Sequence, residues 1–202
     1  MLCQKHFRSF HLFPILLVLF VPLLCYSKSQ PGDTSTLQQR SQYKEALKHL
    51  SQGQIKKFSK LQDELDSYLL KDYLSYHKFN RLLHKRSQVE MGEFKTKFAH
   101  LPVTSILEKR WLKLIGKQRR WKAFQDNYVT TSDPELRCLY ARSLYGTNQK
   151  DEALALTEDL WVKPKSQPKV CDPLFEVWKT TKYFNEEVVW SRLKLTIGAN
   201  ER

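Results

Sequence analysis

Cys138 and Cys171 stand 33 positions apart in the second half of the chain. Two thiols at that spacing can form a disulfide or, with more donors, hold a metal ion. A zinc site would need further ligands. The six histidines, His6, His11, His49, His77, His84 and His100, show no matching cluster. In an oxidising compartment the isolated pair reads as a disulfide, with two buried thiols as the competing reading. A bridge closing that loop would contribute roughly 3 to 4 kcal/mol in the loop-entropy account.

Carboxylates could do acid chemistry if an apolar pocket held one of them protonated near neutral pH. Glu45, Asp63, Glu64, Glu90, Glu93 and Glu108 instead lie among lysines on what read as solvated helical faces. Such surroundings lower a carboxyl pKa. The sequence contains no Gly-x-Ser-x-Gly, phosphate loop or His-Glu-x-x-His, so neither catalysis by these residues nor a cofactor is expected. Tyr68, Tyr73 and Tyr76, beside Lys71 and Lys78, are candidates to stack on sugar rings. The competing reading has them bracing helix pairs, rings inside and hydroxyls at the rim. Lys117, Arg119 and Arg120 form either an anion contact or a solvated turn. Trp111, Trp121, Trp161 and Trp178 fall on apolar stripes and read as core.

The start of the chain gives the compartment. Lys5 and Arg8 precede an apolar run from Phe10 to Leu24, broken by Pro14 and Pro22, and small residues follow to Ser27. This is the pattern of a secretory signal peptide over residues 1–27. The run is too short and too interrupted for a comfortable span, which needs about 20 apolar residues. A membrane contact is expected only through an uncleaved leader; lipidation at Cys25 is disfavoured because no small residue precedes it. Cys3 and Cys25 leave with the leader. The formal charge of the whole chain is +13, a balance that favours polyanions. Export makes nucleic acid an unexpected partner, and acids are interspersed with the lysines almost throughout.

Helical periodicity runs through nearly everything after a polar lead-in at 28–40. Tyr43, Ala46, Leu47 and Leu50 mark a first helix ended by Gly53, and Ile55, Phe58, Leu61 and Leu65 a second. Leu70, Tyr73, Leu74 and His77 give a third stripe, Met91, Phe94 and Phe98 a fourth. Leu107, Trp111 and Leu114 form a fifth stopped near Gly116, and Trp121, Phe124 and Tyr128 a sixth. Ser132 or Asp133 caps the next, with Pro134 at its first position and Gly146 at its end. Asp151 to Trp161 follows, then a proline-bearing loop, a start at Asp172-Pro173, and a last helix opened by Asn185-Glu186-Glu187. Strand signals are nearly absent. The spacing predicts an all-α fold, an α-solenoid of short antiparallel hairpins over residues 41–202. The segment from Leu139 to Leu154 resembles a tetratricopeptide hairpin, but no strict 34-residue repeat recurs.

The run Leu160-Trp161, the Lys165-Ser-Gln-Pro loop and Cys171-Asp-x-Leu-Phe-x-Val-Trp178 resembles the N-terminal superhelical region of the soluble lytic murein transglycosylases. Tyr68 with Tyr73-Leu74-x-Tyr76, Arg120-Trp121-x-x-Phe124, Cys138 with Tyr140-Ala141, and Arg192-Leu193-x-Leu195 agree in order. The resemblance implies a periplasmic protein of a Gram-negative bacterium, from a family that cleaves murein glycan to leave an anhydro end. It implies a superhelix closing into a ring, with a separate lysozyme-like domain for the chemistry. It also implies that Cys138 pairs with Cys171. The Glu-Ser, Gly-Leu-Met-Gln and Ala-Tyr-Asn-Ala-Gly segments of that catalytic domain have no counterpart here, so no catalytic residue is carried over. The expected role is a non-catalytic scaffold that holds or guides glycan strands, with peptidoglycan or a separate catalytic domain as partner. A periplasmic adaptor binding a protein partner is the alternative. A basic module for anionic lipid or nucleic acid is the third reading.

Overall fold

The computed structural model describes residues 31–200, with side chains described from 35 to 199. The expected leader, Cys3 and Cys25 lie outside the described residues. Ten α-helices follow one another: α1 (Pro31–Ser51), α2 (Ile55–Glu64), α3 (Lys71–Arg81), α4 (Gln88–Lys97), α5 (Val103–Lys117), α6 (Trp121–Asn127), α7 (Pro134–Gly146), α8 (Lys150–Trp161), α9 (Asp172–Trp178) and α10 (Glu186–Asn200). Two short 3-10 turns, Leu83–Lys85 and Lys169–Cys171, interrupt the series, and no strand occurs among the described residues. The chain divides into two compact units, Met1–Gln38 and Gln39–Arg202. Of the first, only a helical stretch from residue 31 is described. Everything below concerns the second.

The fold is an α-solenoid whose apolar stripes meet hairpin by hairpin. Ala46 and Leu50 of α1, Phe58 of α2, Leu65 just after α2 and Leu74 of α3 close a first core, edged by Tyr43, Leu61 and Tyr68. Gly53 takes the left-handed φ of +77° that turns α1 into α2, a conformation with no steric cost for glycine. Arg81 then reaches back from α3, its Nη1 donating to the Leu50 carbonyl at 2.7 Å. That bond satisfies one of the carbonyls which a helix end leaves open.

The central core joins α4, α5, α6 and α7 through Met91, Phe94, Phe98, Leu107, Trp111, Ile115, Phe124, Leu136 and Leu139. Trp111 is fully buried and still finds a partner, Nε1 donating to the Arg86 carbonyl at 3.1 Å. Three lysines at successive turns of α5 face the start of α7. Lys109 and Lys113 reach Asp133 at 3.2 and 2.8 Å, while Lys113 and Lys117 reach Glu135 at 2.9 and 2.6 Å. Downstream, α7 and α8 pair as a hairpin, tied at its rim by Arg137 to Asp159. Beyond it Phe184 meets Trp161 and Trp178 edge-on at 5.4 and 5.3 Å, and the two indoles tilt together at 5.7 Å. Val188 seats α10 on this last core, whereas Val189, Trp190, Leu193, Leu195 and Ile197 are exposed.

Several helix ends differ from the sequence reading for local reasons. The lead-in expected over 28–40 is already helical from Pro31, because its polar residues cost a solvated helix little. The fifth helix does end near Gly116, at Lys117, but Gly116 is not the residue that turns the chain. It lies inside the helix and buried, where an added Cβ would meet Phe124 and Leu139 at 2.9 to 3.0 Å. The left-handed residue after α5 is Arg119, at φ 59°. Likewise Gly146 is the last residue of α7, and Asn148 at φ 67° makes the turn. Asp172 is helical, so the preceding residue Cys171 takes the cap position without a side-chain bond. At α7 the cap is Asp133, one of the two residues expected.

Candidate functional site

A disulfide joins Cys138, in the middle of α7, to Cys171, at the turn that opens α9. Their Cα atoms are 5.1 Å apart and both sulfurs are sealed from solvent. One helical turn further along α7, Arg142 donates through Nη1 to the Val170 carbonyl at 3.1 Å. The loop from Val162 to Val170, rich in lysine and proline, is therefore pinned to α7 by a covalent bond and a guanidinium at adjacent turns. This fixes where α9 leaves the loop, and with it Pro173, Leu174 and Val177.

Those three residues form one wall of a cleft of about 190 Å³, whose other walls are Arg119, Trp121, Arg142, Tyr145 and Gly146. Gly146 is required by a close approach. Any side chain there would collide with the Trp121 indole, which lies directly against the backbone. The cleft is mostly apolar but carries two guanidinium groups, and neither makes an ion pair among the described residues. Burial pushes the Arg142 pKa down, and the neighbouring charge of Arg119 pushes it further the same way.

The residues singled out from sequence separate in space. Tyr68 is half-buried against the first core and tilts onto Tyr43 at 5.7 Å. Tyr73 and Tyr76 instead press on the central core, and Tyr76 meets His77 edge-on at 5.1 Å. The three rings thus serve two cores rather than one exposed platform. Of the Lys117, Arg119 and Arg120 group, Lys117 pairs with Glu135 and Arg120 donates to the Arg86 carbonyl at 3.0 Å. Only Arg119 faces the cleft. Trp111 and Trp178 are buried, while Trp121 and Trp161 are partly exposed.

A second, polar depression lies against α3. Gln62, Asp63 and Asp66 from the α2 end, Lys71, Asp72 and Ser75 from α3, and Lys97 with Phe98 enclose it. Within it Lys71 pairs with Asp66 at 2.9 Å and Gln62 donates to Ser75 at 3.0 Å, while His100 meets Asp72 at 2.9 Å at its edge. Carboxylates, an amide, a hydroxyl and ammonium groups around one hollow suit a polyhydroxylated ligand. No group of three or more His, Cys, Asp or Glu side chains that could hold a metal occurs among the described residues. Each carboxyl whose pKa is displaced is displaced downwards: Glu90 to about 2, Asp133 to about 2, and Glu135 and Asp159 in the same direction. A glycan-cleaving general acid needs the opposite shift.

No protein-family model matches the chain. Curated relatives do, among them the soluble lytic murein transglycosylase of Escherichia coli K12, 28% identical over 91% of this chain, and that of Salmonella typhimurium LT2, 26% identical over 80%. Among solved structures, the lytic transglycosylase Slt of Pseudomonas aeruginosa superposes on 79% of the chain with TM-score 0.65 and 35% identity. The chain is homologous to one segment of the soluble lytic murein transglycosylases. It spans about 28% of the length of the E. coli relative and 26% of the P. aeruginosa chain. The 70 kDa soluble lytic transglycosylase of E. coli shares the fold at TM-score 0.68, with 24% identity. A further structure that shares the fold, at TM-score 0.67 and 24% identity, is a complex of the 70-kDa soluble lytic transglycosylase with bulgecin A.

The segment from Lys165 to Trp178 that resembles the transglycosylases therefore builds the disulfide turn, α9 and one wall of the arginine cleft. Arg142 was missed in the sequence because it sits inside a tetratricopeptide-like stretch, where it reads as an ordinary solvated position. Its one legible signal was the absence of an acid at i±3 or i±4: those places hold Leu139, Cys138, Tyr145 and Gly146. The polar hollow around Asp66 and Asp72 had no such signal, since it is assembled from residues brought together by the fold.

Proposed function

We propose that the chain is a non-catalytic superhelical scaffold of a periplasmic peptidoglycan lytic transglycosylase, exported by a leader at residues 1–27, that helps hold or guide murein glycan strands. The observation that carries this reading is the 35% identity over 79% of the chain to the P. aeruginosa lytic transglycosylase. An all-α solenoid supports it, as does the absence, among the described residues, of any helix long and apolar enough to cross a membrane. The polar hollow on α3 is the stronger candidate for glycan contact. Tyr68, Tyr73 and Tyr76 would contribute through the edges and hydroxyls that their half-buried rings leave at the rim. Peptidoglycan is the proposed partner, together with a lysozyme-like catalytic domain.

Incubating the purified chain with murein sacculi tests both halves of the proposal. The chain should sediment with the sacculi and release no anhydro-muropeptides into the supernatant. Release of such products would overturn the non-catalytic role, and failure to sediment would overturn the scaffold.

A further inference from the structure

Arg119 breaks a backbone rule. A non-glycine residue in the left-handed region costs roughly 1 kcal/mol, and strain of this kind gathers at functional positions. Lys117, two residues earlier, and Arg120, the next residue, are both engaged, in an ion pair and in a hydrogen bond to a carbonyl. Arg119 has neither, and it stands at the mouth of the cleft with Arg142, which spends one donor on Val170. Two cations are thus held near each other, without a counter-charge among the described residues, against a wall formed by Trp121, Tyr145, Leu174 and Val177. An anion lying between them would relieve their repulsion, and an apolar wall of this size favours an anion that carries an apolar group.

We propose that the cleft between the α5–α6 turn, the end of α7 and α9 is a carboxylate-binding site, taking the free C-terminal carboxylate of a short peptide with a small apolar last residue. The Arg119 and Arg142 guanidinium groups share the carboxylate, and the planar fork of each suits it better than an ammonium would. The apolar last side chain lies against Leu174, Val177 and the Trp121 ring. The volume of about 190 Å³ has room for one or two residues. Pinning of α9 by the Cys138–Cys171 bridge sets the wall that this side chain meets. The site stands on the chemistry of the cleft itself and holds whether or not the chain grips glycan.

The test is titration of the oxidised protein with N-acetyl-alanyl-alanine, followed by Trp fluorescence and by chemical shifts. Its C-terminally amidated form and inorganic phosphate are the comparison probes. The free acid should bind, and amidation should weaken binding at least tenfold, the loss expected for a hydrogen bond between charged partners. Arg119→Gly relaxes the backbone while removing the guanidinium, so it should melt no lower than the parent and still lose at least tenfold in affinity. Arg142→Gln should lose as much. Arg142→Lys should recover part of that loss, since the charge returns without the fork. Equal binding of acid and amide would overturn the proposal, as would a folded Arg119→Gly protein with undiminished affinity. Phosphate bound as tightly as the peptide would show that the apolar wall selects nothing, and would overturn it too.

Discussion

Asp133 serves two elements through one carboxylate. Its Oδ1 accepts from the backbone N–H groups of Glu135 and Leu136 at 3.0 and 3.3 Å, while Oδ2 receives Lys113 and Lys109. Burial alone would raise its pKa. The Lys113 bond, the Leu136 N–H and Lys109 outweigh burial and hold the pKa at about 2, below its ordinary 3.8. A depressed carboxyl pKa contributes stability that is complete above the unfolded value and is lost as pH falls through the folded one. Stability should therefore decline between about pH 4 and pH 2, by roughly 2 kcal/mol from this residue. Asp133→Asn, which keeps a cap acceptor but loses both ion pairs, should lower stability by about 2 kcal/mol at pH 7 and flatten that acid limb. Urea melts of both proteins at pH 2.5, 4 and 7 measure this. The disulfide makes a second residue-scale prediction. Under oxidising conditions Cys171→Ser should cost roughly 3 kcal/mol, and excess reductant should bring the parent down to the same level. Equal stability of parent and variant without reductant would mean that the bridge carries nothing.

Among elements, α4 depends most visibly on its cap. Ser87 accepts from the Glu90 N–H at 3.1 Å and the Glu90 carboxylate accepts from the Ser87 N–H at 2.8 Å, with Arg86 adding an ion pair at 2.7 Å. Ser87→Ala removes one arm of this box and should cost about 1 kcal/mol, measured as a drop in the urea midpoint with an unchanged slope. Ser-x-x-Glu before the apolar stripe at Met91 and Phe94 is a signal that the sequence carries in plain form. The helices were legible because Ala46, Leu50, Phe58, Leu65, Leu107 and Trp111 repeat at the helical period and all turn inward. The ends were less so. Gly116 and Gly146 resemble stops in sequence, but each is a glycine because a neighbouring helix approaches: α6 and α7 at Gly116, Trp121 at Gly146. Contact between elements leaves no trace in local spacing. The same reason hid Arg142 and the α3 hollow, whereas the cysteine pair and the block from Lys165 to Trp178 could be read directly.

At the scale of the whole molecule, successive cores make a solenoid whose recesses include two unlike ones. One is polar and acid-rich on α3, the other apolar and cationic between α7 and α9. The formal charge of +13 would attract any polyanion at low salt, so binding to a cell-wall polymer must be separated from charge alone. Screening makes that separation: exposed charges lose most of their reach at about 0.15 M salt and above. The most direct measurement is a sedimentation isotherm of the purified chain with murein sacculi at 0.05, 0.15 and 0.5 M salt as the chosen conditions, beside polyglutamate as a plain polyanion. A murein-holding scaffold predicts sacculus binding that persists at the highest salt, while polyglutamate binding disappears. Sacculus binding that falls away in parallel with polyglutamate binding, or is absent at every salt, would contradict it.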